Sequence, residues 1–108
     1  MEPKKWNRLD FFNYLIKNVN LSDRVAKDYV SRCIRIEKIL SIDLPTETKN
    51  ESKSINVMLN IRKFAKKTLA HDKARVNIYT ANLRVALRKF ILFKWGYELK
   101  KNHPLLYK

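Results

Sequence analysis

The chain has 108 residues and a mass of 12.9 kDa, and its 24 lysines and arginines against 10 acidic residues give a net charge of +14 and a pI near 10.1. This length suits one domain with a single core and excludes a binding domain joined to a separate catalytic domain. The charge exceeds what solubility requires and favours a polyanionic partner, nucleic acid before an anionic membrane surface or an acidic protein.

The first predicted helix covers residues 7–18. Asn7 is a suitable N-cap, and Trp6 and Phe11 stand at the two ends of a hydrophobic staple. Its predicted buried face consists of Leu9, Phe12, Leu15, Ile16 and Val19. The turn residues at 18–20 end this helix.

The second predicted helix, residues 22–41, joins an apolar stripe and a basic stripe. Ser22 is its predicted N-cap, with Asp23 in the positive first turn. The apolar residues that recur three or four apart, and that we expect to be buried, are Ala26, Tyr29, Val30, Cys33, Ile36 and Leu40. The other side carries Arg24, Lys27, Ser31, Arg35 and Lys38. About 30 Å of helix would therefore offer cations to a partner.

Two more helices are predicted after a connection in which Pro45 disfavours helix at Leu44. The third covers 49–69, beginning at a capping box formed by Thr48 and Glu51, with Asn50 as the alternative start. Its apolar residues are Ile55, Met58, Leu59, Ile61, Phe64, Ala65 and Leu69, spread over a wide arc. Residues 70–76 are expected to form a loop.

The fourth predicted helix covers 77–95, with Asn77 as N-cap and Gly96 as a left-handed C-cap. Its inward face comprises Tyr79, Leu83, Ala86, Leu87, Phe90 and Ile91, and its remaining face carries Asn82, Arg84, Arg88 and Lys89. Residues 97–108 are expected to be a short tail or the start of a linker. No strand pattern competes, so the sequence predicts an all-α, compact four-helix bundle over 1–108.

The residues that carry chemistry are sparse. Cys33, His71 and His103 are too scattered for a zinc site, and Cys33 on the apolar stripe is interpreted as a core residue. The single glycine excludes phosphate-binding loops, and the dispersed carboxylates offer no acid-base or two-metal pair. We therefore expect no catalytic residues, no cofactor and no metal.

Composition also indicates where the protein is found. One cysteine allows no internal disulfide, the N-terminal MEPKKWNRLD lacks the apolar segment of a signal peptide, and no apolar run approaches the ~18 residues of a membrane span. We expect a cytoplasmic protein that does not use a membrane as partner.

Basic side chains on the second and fourth helices form the candidate DNA-binding set. Lysine and arginine neutralise phosphates, and arginine and asparagine can also contact guanine and adenine edges in a major groove. The predicted contacts are Arg24, Lys27, Ser31, Arg35, Lys38, Asn82, Arg84, Arg88 and Lys89. For each of them a solvated surface side chain is the alternative. Tyr14, Tyr29 and Tyr79 could stack on bases, but their helical spacing beside Leu and Val favours the core.

Two segments resemble a known family. The first segment follows the pattern "F..YL" and then "S..T...Y...L..F", with Val25 in place of the usual threonine; it reads FFNYLIKNVNLSDRVAKDYVSRCIRIEKIL. The second follows "T.....ALR.F..F" and reads TANLRVALRKFILF. The matching residues are Phe11, Tyr14, Leu15, Ser22, Tyr29, Ile36, Thr80, Leu83, Ala86, Leu87 and Phe90. Over residues 9–93 the chain thus resembles the N-terminal core-binding (SAM-like) domain of tyrosine recombinases and phage integrases.

The resemblance implies a four-helix domain that lies on one face of duplex DNA, with the second and fourth helices toward the major groove. The family's catalytic arginines, HxxR motif and tyrosine nucleophile belong to a C-terminal domain that these residues do not contain. We therefore expect a DNA-binding module in a bacterial, phage or mobile-element setting, able to oligomerise on double-stranded DNA. The alternatives are a stand-alone protein that binds RNA or one that binds an acidic protein partner.

Overall fold

The computed structural model describes residues 6–100 and 106, and these residues form an all-helical, single globule without strands. The elements in chain order are α1 (Arg8–Lys17), α2 (Asp23–Leu40), α3 (Leu44–Glu47), α4 (Glu51–Thr68) and α5 (Lys73–Trp95). The all-α prediction is confirmed, but the described part of the chain has five helices rather than four.

The entrance to α1 follows the predicted cap and staple. The Asn7 side chain accepts a hydrogen bond from the Asp10 amide at 3.0 Å, and the Trp6 and Phe11 rings pack edge to face with centroids 5.8 Å apart. The predicted buried face is partly wrong, because Leu9 is 65 % exposed whereas Phe11 and Leu15 are fully buried. Leu9 lies about 160° around the helix from Phe11, at about 100° per residue.

Helix α2 begins and ends within one residue of its predicted bounds. Ser22 caps it by accepting from the Val25 amide at 3.3 Å, and Ser41 ends it in a left-handed conformation with φ of 53°. Ala26, Cys33 and Ile36 are fully buried, as predicted. The other predicted core residues, Tyr29, Val30 and Leu40, are half-buried and pack against the core.

The connection after α2 contains a short helix, α3, that was not predicted. Pro45 lies within the first turn of α3, where a missing backbone N–H costs nothing, and the Asp43 side chain caps the turn by accepting from the Thr46 amide at 3.2 Å. Pro45 therefore promotes this helix instead of preventing it.

The starts of the last two helices also differ from the prediction. Asn50, the alternative start, caps α4, because the hydroxyl of the buried Thr48 donates to the Leu44 carbonyl at 2.7 Å. Helix α5 begins four residues before Asn77, with Asp72 as the N-cap accepting from the Arg75 amide at 3.1 Å. Asn77 is already inside the helix and accepts from Arg62 at 3.2 Å.

The core lies where α2, α4 and α5 meet, with α1 packed across α2 and α5. At the α1–α5 contact Trp6, Phe11 and Phe90 pack edge to face, with centroids 5.1 to 5.8 Å apart. Such edge-to-face pairs add about 0.5–1.5 kcal/mol each beyond the area that they bury. The aromatic contacts therefore fasten α1 to α5.

The segment after α5 packs against the helices instead of leaving them as a free tail. Gly96 adopts φ of 75° and caps α5, as predicted. The Tyr97 hydroxyl then donates to the Thr48 carbonyl at 2.7 Å, and Leu99 and Leu106 are each 95 % buried. The rest of the predicted tail, at 101–105 and 107–108, lies outside the described residues, as do residues 1–5.

The Glu37 carboxylate joins three elements. It projects from α2 and accepts from the Trp6 indole N–H at 3.0 Å with one oxygen and from the Leu44 amide at 2.9 Å with the other. Both bonds are partly buried. One carboxylate thus holds the chain before α1 and the start of α3 against α2.

Replacing Glu37 with alanine should lower the free energy of unfolding by about 2–3 kcal/mol, because two partly buried donors lose a charged acceptor. Urea denaturation measures the change. Asp28→Ala, which removes an exposed carboxylate from the same helix, is the control and should change stability by less than about 0.5 kcal/mol. Equal effects of the two substitutions would contradict the bridging role of Glu37.

Candidate nucleic-acid interface

The predicted contacts on α2 form a continuous exposed stripe. At about 100° per residue they fall within about 80° of arc, roughly opposite the buried Ala26 and Cys33. We call this surface the α2 stripe; it consists of Arg24, Lys27, Ser31, Arg35 and Lys38, and all five are exposed. Four cations therefore face solvent along about 21 Å of helix.

Of the predicted contacts on α5, Asn82 lies beside the α2 stripe. It is exposed and lines a shallow depression between α2 and α5 together with Ser31 and Arg35. The structure therefore brings together a hydroxyl, a guanidinium and an amide near the middle of the stripe, and the Asp28 carboxylate lines the same depression. The hydroxyl, guanidinium and amide can donate to phosphates or to base edges.

Arg84 is placed differently from the prediction. Its Nε and Nη2 atoms both donate to the Met58 carbonyl, at 3.2 and 2.8 Å, and its side chain is half-buried. Arg84 lies about 160° around α5 from Asn82, on the side that packs against α4. The side chain fastens α5 to α4 and does not extend the α2 stripe.

Arg88 and Lys89 lie further along α5 than Asn82, outside the depression that Asn82 lines. Both are half-buried and line a depression with Leu99 and the carboxylate-bearing Glu98 of the segment after α5. Arg88 is about 120° around α5 from Asn82, whereas Lys89 is only about 20° around from it and about 10 Å further along the axis. Arg84 and Arg88 therefore do not continue the surface formed by the α2 stripe and Asn82.

The three tyrosines that could have stacked on bases are half-buried side chains of the core surface. The Tyr14 ring lies 5.3 Å from Phe93, and the Tyr79 ring stacks on Phe64 at 6.4 Å. Tyr29 is covered by the Arg32 guanidinium at 5.5 Å from its centroid. These contacts agree with the core interpretation.

Arg75 is a basic residue near the α2 stripe that the sequence reading assigned to a loop. It lies in the first turn of α5 and lines a groove that also contains Arg35. The spacing of Arg75, Ile78, Tyr79 and Asn82 at i, i+3, i+4 and i+7 was the signal for this helix face. The predicted N-cap Asn77 leaves Arg75 outside the helix, whereas the observed N-cap is Asp72.

Cys33 is fully buried, as the core interpretation expected, and its thiol contacts the Ala86 carbonyl at 3.5 Å. Burial, and next the charge of Glu37, raise the pKa of the thiol well above its ordinary value. The thiol therefore stays protonated at neutral pH and is a poor nucleophile.

Within the described residues no three or more His, Cys, Asp or Glu side chains cluster as metal ligands would. His71 is exposed and His103 lies outside the described residues. Nor does any described helix combine the length and apolarity needed to cross a bilayer.

No protein-family model, curated protein or solved structure was found to match this chain.

Arg84→Ala should reduce the free energy of unfolding by about 1.5–3 kcal/mol, because the Met58 carbonyl loses a charged donor. Thermal or urea unfolding measures the loss. Arg24→Ala removes the same charge from an exposed position and should leave stability within about 0.5 kcal/mol. If Arg84→Ala were as stable as the parent chain, the anchoring role of this arginine would be wrong.

Stability should fall above the thiol pKa of the unfolded chain, about 8.5. Above this pH the folded chain keeps a proton on Cys33 that the unfolded chain releases. The contribution of Cys33 therefore lowers the free energy of unfolding by up to about 1.4 kcal/mol per pH unit. Tyr97, whose pKa is raised mainly by burial, acts in the same direction.

Urea titrations between pH 7.5 and 9.5 test this prediction. Cys33→Ala is the comparison, because its stability should fall less over the same range although its stability at pH 7.5 is lower. If the stabilities of the parent chain and Cys33→Ala depended identically on pH, the prediction that the buried thiol stays protonated would be wrong.

Proposed function

We propose that this chain is a DNA-binding module that contacts duplex DNA through the α2 stripe and Asn82. The observation that carries the proposal is the arrangement of Arg24, Lys27, Arg35 and Lys38 on one exposed side of a helix whose other side is buried. A polyanion with regularly spaced charges complements such a row of cations.

Phosphate neutralisation supplies most of the binding free energy in this proposal. Duplex DNA carries one negative charge per about 1.7 Å of axis, so a row of about 21 Å can meet several phosphates. The +14 net charge adds long-range attraction. Lysine and arginine at the ends of the stripe would then fix the position of the protein without reading sequence.

Base readout is confined to the middle of the surface. Ser31, Arg35 and Asn82 line one depression there, and arginine and asparagine are the side chains suited to guanine and adenine edges. With so few such groups, the module should discriminate weakly among sequences. Specificity would then come from a second domain or from oligomerisation on DNA.

The finer proposal is that the module is the core-binding part of a site-specific tyrosine recombinase. It is supported by the resemblance in residues 9–93, whose motif residues Phe11, Leu15 and Phe90 are fully buried. Buried motif positions specify a helical core and not a DNA contact. The recombinase proposal therefore depends on the resemblance, whereas the DNA-binding proposal depends on the α2 stripe.

The salt dependence of DNA binding tests the α2 stripe. Four to five neutralised phosphates give a slope of log K against log salt of about −4, and Lys27→Ala with Lys38→Ala should reduce it to about −2. Fluorescence anisotropy with a labelled 24-base-pair duplex of mixed sequence, between 25 and 200 mM salt, measures both slopes.

The matched control is Lys63→Ala with Lys67→Ala, which removes two exposed charges from α4 and leaves the α2 stripe intact. Its slope should remain near −4. If the salt slope fell equally in the two double variants, net charge alone would account for DNA binding. A slope near zero for the parent chain would contradict the DNA proposal. Stronger binding to an RNA hairpin of equal length would assign the stripe to RNA.

A further inference from the structure

A second surface lies next to the α2 stripe but has a different chemistry. It is a groove of about 550 Å³ between the C-terminal half of α2, the end of α4 and the first half of α5. Its apolar lining consists of Ile39, Phe64, Leu69, Ile78 and Tyr79, and we call it the apolar groove.

The walls of the apolar groove are already in place without a partner. The Phe64 and Tyr79 rings are stacked 6.4 Å apart with an interplanar angle of 27°, which joins α4 to α5 at the groove. Ile78 is 61 % exposed in the same wall. A single exposed isoleucine is ordinary, but here it continues an apolar surface formed by four further side chains.

Neither DNA nor a small molecule explains this groove well. The two arginines of the groove could contact phosphates, but its isoleucine and phenylalanine side chains offer no charge or donor, so DNA would leave the apolar lining unexplained. The groove is also open to solvent, whereas small-ligand pockets bury most of the ligand surface. A peptide segment with apolar side chains fits an open groove between helices better.

The charges beside the groove define the partner further. Arg35 on α2 and Arg75 on α5 line it from two different helices, and no acidic residue is among the described residues that line it. Both arginines are exposed. A carboxylate on each border of an apolar stripe would therefore meet a guanidinium.

We propose that the apolar groove docks an amphipathic helix of a partner protein, with apolar residues at i, i+3, i+4 and i+7 and with Glu or Asp on both borders of that stripe. This proposal does not require DNA binding. The two surfaces share Arg35 and Asn82, so a docked acidic helix competes with DNA at those residues but not at Lys27 or Lys38.

The probe is a set of 16-residue helical peptides that place Glu on both borders and vary Leu, Ile, Phe and Met at the apolar positions. The matched control peptide keeps every Glu and replaces the apolar residues with Gln. Titration of the isotope-labelled full chain by NMR should shift the amides of Ile39, Leu69 and Ile78 with the apolar peptides and leave them unchanged with the control.

Two variants separate this proposal from the DNA proposal. Arg75→Ala with Ile78→Ala alters only exposed side chains, and it should weaken the tightest peptide at least tenfold while the DNA salt slope stays near that of the parent chain. Lys27→Ala with Lys38→Ala should reduce the DNA salt slope and leave the affinity for the tightest peptide near that of the parent chain. Each proposal can therefore fail without the other.

Three outcomes would overturn the proposal. Equal affinity for the Gln control peptide would mean that charge alone attracts the peptides. Groove shifts that depend on protein concentration without peptide would assign the groove to a second copy of the chain. If no peptide in the set bound below about 1 mM, the groove would not be a docking site for acidic helices.

Discussion

The two hydrogen bonds that the Glu37 carboxylate accepts fix the orientation of α2 relative to its neighbours. The carboxylate lies near the core side of the helix, where its two oxygens hold the Trp6 indole and the Leu44 amide. Because these partners belong to the chain before α1 and to the start of α3, α2 cannot rotate without breaking both bonds. These bonds reinforce the orientation that burial of the apolar side gives to α2, with Arg24, Lys27 and Lys38 in solvent.

Local signals in the sequence were sufficient for the helix ends that local chemistry determines. Asn7, Ser22 and Gly96 cap their helices by contacts within a few residues, and all three were predicted. Helix α3 and the start of α5 were missed, because proline and asparagine each fit two local roles. Which role is used depends on distant partners, such as the Trp95 indole that donates to the Pro45 carbonyl at 3.2 Å.

The exposure of the basic residues was predicted well on α2 and poorly on α5 for a physical reason. Helix α2 has one buried side, so its apolar pattern also defines the exposed side, and the basic residues opposite Cys33 are exposed as expected. Helix α5 packs against α1, α2 and α4, which leaves only narrow strips of its surface between these contacts. An arginine on such a strip can point into solvent or bind a neighbouring carbonyl, as Arg84 binds that of Met58. The spacing of residues in the sequence does not distinguish these two outcomes.

The α2 stripe also has a cost for the free protein. Like charges three or four residues apart on a helix repel by a few tenths of a kcal/mol, and Arg24 with Lys27 and Arg35 with Lys38 are two such pairs. Asp23 and Asp28 offset part of this repulsion, because Asp23 lies four residues before Lys27 and Asp28 four residues after Arg24. Dissolved ions relieve this repulsion by screening, and an anion seated along the row relieves it more completely. At Arg35 and Lys38, which have no acidic residue four positions before or after them, a bound anion would remove the repulsion and stabilise the helix at the same time.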